Sequence, residues 1–128
     1  MSIDLGGFTI RGNGTKTGIV ITGAFVSVRN GIIRNFEYGI DGTLGTSLDH
    51  VTVIGNSGYG AVVGSFAAVR DCSFFGNGPG LVAGNHALVT GNMVVNSSAN
   101  GIEVNNGSIV SSNIVAGNAS DGIFAVSV

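Results

Sequence analysis

Few side chains in this chain could do chemistry, and their spacing limits what they could do together. Tyr38 and Tyr59 stand 21 residues apart, with Asp41 three residues after the first. Flat aromatic faces bind the C–H surfaces of sugars and a carboxylate accepts hydroxyl protons. Tyr38, Tyr59 and Asp41 are therefore the candidate carbohydrate-binding residues; the competing reading is an aromatic stack that shields a sheet edge. Arg11, Arg34 and Glu37 are candidate anion-binding residues, because two like charges cost energy unless Glu37 or an anion sits between them. Hydrolysis of a glycosidic bond needs two facing carboxyl groups. Calcium-assisted elimination needs several acidic ligands and a basic proton acceptor, and Asp41 alone is a poor calcium site. His50 and His86 are 36 residues apart, no Gly-x-Ser-x-Gly elbow is present, and each histidine reads as a solvated turn residue. No catalytic residue, metal-ligand set or cofactor is assigned.

Composition narrows the field further. The 128 residues allow one domain. Charged residues are 9% of the chain, against about a quarter in an average protein. A hydrophobic content of 44% argues against disorder, and a net charge of −2 against an electrostatic nucleic-acid binder. One cysteine excludes a disulfide framework and a cysteine-based zinc site. No apolar run approaches the ~18 residues of a membrane span, and Met1-Ser2-Ile3-Asp4-Leu5 does not read as a signal peptide.

The elements that must position the candidates come from an internal repeat. Glycine followed by an apolar residue recurs as Gly18-Ile19, Gly39-Ile40, Gly60-Ala61, Gly80-Leu81, Gly101-Ile102 and Gly122-Ile123, at intervals of 21, 21, 20, 21 and 21. Leu5, Val28, Leu48, Val69, Val89 and Val110 form a second column, and Ile10, Ile33, Val53, Phe74, Val94 and Val115 a third. An asparagine follows each of the last set: Asn13, Asn35, Asn56, Asn77, Asn96, Asn118. Short Val- and Ile-rich stretches alternate with Gly, Asn and Ser breaks, and amphipathic helical windows are absent. Three short strands per 21 residues predict a coil that rises one strand spacing, about 4.8 Å, per repeat, so that like positions stack. The fold class is all-β: a single-stranded right-handed parallel β-helix, a β-solenoid of about six coils. The outward second-strand column reads Gly6, Arg29, Asp49, Arg70, Thr90, Ser111, an alternation of charge that helps set register. Asp41 and Glu103 share an outward column three coils apart, about 14 Å, beyond even the inverting separation of ~6.5–9.5 Å.

These columns resemble the repeats of the pectin-lyase-like superfamily. The pattern stands as Asn113-Ile114-Val115-Ala116-Gly117-Asn118 before Gly122-Ile123-Phe124-Ala125, and as Asn92-Met93-Val94-Val95-Asn96 before Gly101-Ile102-Glu103-Val104. The resemblance implies that the Gly-Ile strand floors a substrate groove. It implies that Asn30, Asn92 and Asn113 lie near an asparagine ladder, which His50 and Asp71 or Cys72 interrupt; Cys72, on the coil path between Val51 and Asn92, reads as a buried inert thiol. It also implies that the parent protein is secreted or at the cell surface. The superfamily's Asp-Asp and Gly-His-Gly hydrolase motifs are absent. The expectation is a non-catalytic scaffold or carbohydrate-contact segment of a longer solenoid. The rivals are a lyase-like enzyme acting on uronate polymers through Asp41, Glu37, Arg34 and Arg11, and a pure assembly module. The candidate partners are a polysaccharide, further coils, or a second copy docked on an uncapped end whose section contains Val110, Val115 and Ile123 above or Leu5, Ile10 and Ile19 below.

Overall fold

The structure, a computed structural model, describes residues 1–127. Those residues form strands of three to eight residues and no helix. Every pairing is parallel, and each strand of the inner coils pairs with its equivalents one coil below and above. The result is a β-solenoid of six coils with three faces. The Gly-Ile face stacks Thr17–Val20, Tyr38–Asp41, Ala61–Val63, Leu81–Ala83, Ile102–Val104 and Ile123–Ala125. A second face carries Ser2–Asp4, Ala68–Arg70, Leu88–Thr90 and Ile109–Ser111. The third carries Thr9–Arg11, Ser73–Phe75, Met93–Val95 and Ile114–Ala116. Ser27–Arg34 and Ser47–Ile54 run unbroken through the bend between these two faces and join them into one sheet.

The inward columns are what the period-two alternation of each strand demands. Val28, Leu48, Val69 and Val89 stack on one face, Ile33, Val53, Phe74 and Val94 on the next, and Ile40, Ala61, Leu81 and Ile102 on the third, all with no exposed surface. Burial of each of the larger of these side chains is worth about 1.5–3 kcal/mol. Ile123 continues the third column in the last described coil and is 50% exposed.

The first coil departs from the expected register. Ile3, not Leu5, pairs with Val28, and Asp4, not Gly6, pairs with Arg29. The cause is a longer bend: Leu5 to Phe8 separate the first two strands, where the next coil has only Asn30 and Gly31. Leu5 leans on Gly31, whose missing Cβ leaves room for it. Asp4 then extends the charge alternation downward and meets Arg29 at 3.2 Å.

The asparagines also divide differently. Asn30 has φ of 57° and occupies a left-handed bend column with His50, Asp71, Gly91 and Ser112, at φ of 51°, 52°, 71° and 56°. Asparagine, aspartate and glycine tolerate this conformation best. The ladder lies one residue later, so Val51 and Cys72 interrupt it, and Asn30, His50 and Asp71 stand outside it. There Asn92 donates from its backbone N–H and from Nδ2 to Asn113 Oδ1, at 2.9 and 3.0 Å, and Cys72 N–H donates to Asn92 Oδ1 at 2.9 Å. The asparagines after the third face likewise fall into two columns. Asn35 and Asn96 take left-handed bends with Gly55, Gly76 and Gly117. Asn56, Asn77 and Asn118 turn inward one residue later, where Asn56 N–H and Nδ2 donate to Asn77 Oδ1 and Ser97 N–H donates to Asn118 Oδ1.

Contact between neighbouring coils explains the glycine column. Its glycines are not in the left-handed region. A Cβ at Gly80 would lie 2.6 Å from the carbonyl oxygen of Gly101, and one at Gly101 would lie 2.6 Å from that of Gly122 and 2.7 Å from Asn118 Nδ2. Gly39 and Gly60 meet the carbonyls of Gly60 and Gly80 still more closely. The requirement is close approach between coils, which only hydrogen at Cα satisfies.

Gly60→Ala is therefore expected to destabilise the protein by about 1–3 kcal/mol, the usual cost of overpacking, read as a lower urea midpoint. Gly23→Ala, where the nearest atom to an added Cβ is 3.7 Å away, is expected to stay within about 0.5 kcal/mol of the parent. A second expectation concerns Cys72. Burial pushes its thiol from 9.0 up to about 12, with Asp49 and Asp71 adding to the shift and backbone hydrogen bonds opposing it. The folded chain keeps a proton that the unfolded chain loses, so stability falls as pH rises from about 9 towards about 12, by up to about 1.4 kcal/mol per pH unit. Urea midpoints measured between about pH 8 and 11 are expected to show this slope in the parent and to lose it in Cys72→Ala.

Candidate functional site

Stacking of coils brings the two tyrosines together. Tyr38 opens the strand Tyr38–Asp41, and Tyr59 sits at the equivalent place one coil up, just before Ala61–Val63. Their ring centroids are 5.9 Å apart with planes 27° from parallel, and each residue is a little over a third exposed. Gly58 makes the stack possible, because a Cβ there would lie 2.6 Å from Tyr38 Cε1. Both rings line a depression of about 240 Å³ shared with Ile40, Asp41 and Val62. Asp41 faces outward between Val20 and Val62, and its carboxylate is exposed. The three candidate carbohydrate-binding residues thus form one surface: an aromatic shelf with a hydrogen-bond acceptor beside it.

A second carboxylate does not join them. Along the outward column Asp41 is followed by Val62, Val82 and only then Glu103. Asp121 follows Asn100 in the tyrosine column, where its backbone N–H donates to Asn100 Oδ1 at 3.0 Å. This arrangement can hold and orient a sugar ring through C–H contact and one charged acceptor; it offers no acid–base pair.

Arg11 and Arg34 pair in register on the third face. Next in that column is Ile54, so no acidic residue alternates with them. Arg34 Nε is buried and bonded to nothing, whereas Glu37 is exposed and, among the described residues, makes no ion pair with either arginine. Arg11 lines a depression of about 370 Å³ with Gly12, Asn13, Gly14, Asn35, Phe36, Gly55 and Ser57. The arginine pair and the tyrosine shelf therefore stand on different faces, separated by the bend at residues 35–37. A further depression, about 450 Å³, opens at the lower end of the core around Met1, Ile3, Val20, Ile21 and Val26 and holds no ionisable side chain.

Two clusters go beyond the sequence reading. His86 stacks on Phe66 with centroids 5.1 Å apart, both at left-handed bends between the Gly-Ile and second faces. On the next corner of the coil, Asp49, His50 and Asp71 bring one ligand atom each to within 4.8 Å of one another. Alternation along a strand would point Asp49 and His50 to opposite sides, but the left-handed bend at His50 turns its ring onto the side of Asp49. His50 Nδ1 lies 2.7 Å from Asp49 Oδ1. The interval of 21 between His50 and Asp71 was the available signal. No family model, no curated protein and no solved structure matches this chain.

Proposed function

We propose that this chain is a non-catalytic β-helix segment, similar in kind to pectin-lyase-like repeats. It serves as scaffold in a larger extracellular or surface protein and contacts carbohydrate through Tyr38, Tyr59 and Asp41. The observation that carries the reading is the tyrosine pair, stacked yet open, bordering a depression that Asp41 also lines. The three coil spacings from Asp41 to Glu103 support a binding role over hydrolysis. A uronate lyase would need Asp41, Glu37, Arg34 and Arg11 in one groove, and their division between two faces supports the non-catalytic reading. The uncovered Ile123 supports a further role in assembly: its section suits another coil, from this chain or from a second copy.

The chain has no tryptophan and only two tyrosines, so its tyrosine emission reports on the shelf alone. Titration with oligouronides and with neutral oligosaccharides is expected to change that emission saturably. Tyr59→Ala, followed by NMR shifts, is expected to weaken binding about 2- to 10-fold, the worth of one aromatic contact. Absence of any response to either sugar class would leave the shelf as an edge shield. Formation of unsaturated uronides with calcium, lost in Asp41→Ala, would establish the lyase instead.

For assembly, light scattering of the isolated chain is expected to show concentration-dependent association that added salt does not dissolve, because the contact is apolar with backbone pairing. Ile123→Lys is expected to weaken it and Thr90→Lys, on a side face, to leave it unchanged. A monomer at all concentrations would remove the assembly role.

A further inference from the structure

We infer that Asp49, His50 and Asp71 form a binding site for a divalent transition-metal ion of the zinc and cobalt class. The site lies on a different corner of the rod from the tyrosine shelf and does not depend on carbohydrate contact.

The ligand set suits such an ion. One imidazole and two carboxylates place three donor atoms within 4.8 Å of one another. Zinc bonds to nitrogen and oxygen at about 2.0–2.2 Å, so donors sharing one ion sit roughly 3–4.4 Å apart, a small rotamer adjustment from the observed spread. A mixed nitrogen–oxygen set selects zinc or cobalt over calcium, which takes 6–8 oxygens. Three protein ligands on an exposed corner leave further positions for water.

Asp49 is flanked in its column by Arg29 and Arg70, yet Arg29 is turned to Asp4, 3.2 Å away. Among the described residues neither arginine pairs with Asp49, and no cation pairs with Asp71. Asp49 alone engages the imidazole of His50, and Asp71 brings a carboxylate oxygen to within 4.8 Å of both. The backbone holds them in place. His50 and Asp71 occupy successive left-handed bends, one coil apart, so their side chains leave the rod together. Asp71 Oδ1 lies against Gly91, where any Cβ would displace it. Asp49 meets His50 Nδ1 at 2.7 Å, which keeps the ring among the carboxylates.

The test is titration of untagged protein with Co²⁺, read by visible absorption, and with Zn²⁺, read by calorimetry. One ion per chain is expected. His50→Asn and Asp71→Asn keep residues that suit a left-handed bend, as Asn30 does in the same column, so both variants are expected to retain the parent's thermal midpoint without metal. Each is expected to weaken Zn²⁺ binding at least about tenfold, within the 10–100-fold typical of lost metal-site interactions. His86→Asn is expected to leave binding unchanged. The inference is overturned if no saturable binding occurs below about 1 mM, the weak end of protein–metal affinities. It is equally overturned if His50→Asn and Asp71→Asn bind like the parent, or if His86→Asn abolishes binding.

Discussion

Each residue lies directly beneath its equivalent one coil higher, at one strand spacing of about 4.8 Å, and this contact dictates nearly every other feature of the molecule. Where the backbones press closest, at the Gly-Ile turn, even a methyl group would meet the carbonyl above, so glycine recurs at Gly18, Gly39, Gly60, Gly80 and Gly101. Beside that turn an amide side chain fits inside the coil only if it bonds its neighbours, and Asn56 and Asn77 do so. Asn77 Nδ2 also donates to the carbonyl of Val53, so the buried amide serves both its own ladder and the strand below. Ser97 fills the same column with a shorter side chain, and its buried Oγ finds no partner.

The same rule governs polar side chains on the surface. A charge repeated in one column faces its own kind, and an alternating column faces its opposite. Arg11 beneath Arg34 is the first case; Asp4 beneath Arg29 is the second. Aromatic rings follow it as well, so Tyr38 finds Tyr59 and Phe66 finds His86 without long-range folding to bring them together. In a chain so poor in charge, chemistry can arise only where two or three such side chains meet on neighbouring coils.

Much of this was legible in the sequence. The Gly-Ile and third-face columns read correctly because the spacing of their residues barely changes from coil to coil, and the tyrosine shelf followed from that spacing. The first coil misled because four residues fill a bend that takes two in the next, which shifts Leu5 out of the core column in favour of Ile3. The asparagines misled for another reason. Asparagine suits both a left-handed bend and an inward ladder, and the two sites are one residue apart, so residue type cannot tell Asn35 from Asn56. Asp49 and His50 remained hidden because strict alternation separates adjacent side chains, and only a positive φ rejoins them.

The ladders also give the rod a direction. Each ladder amide oxygen accepts from the coil below, Asn77 from Asn56, Asn113 from Asn92 and Asn118 from Ser97, while each of these Nδ2 groups donates down to a carbonyl of that lower coil. The parallel strands point the same way around every coil. The two ends are therefore chemically different surfaces, and a partner that continues the hydrogen-bond pattern must enter in the same sense. Two copies related by a two-fold axis would set like end against like end and break it. Continuation by screw symmetry keeps it, and a heterologous contact of that kind leads to an open, polar filament rather than a closed dimer.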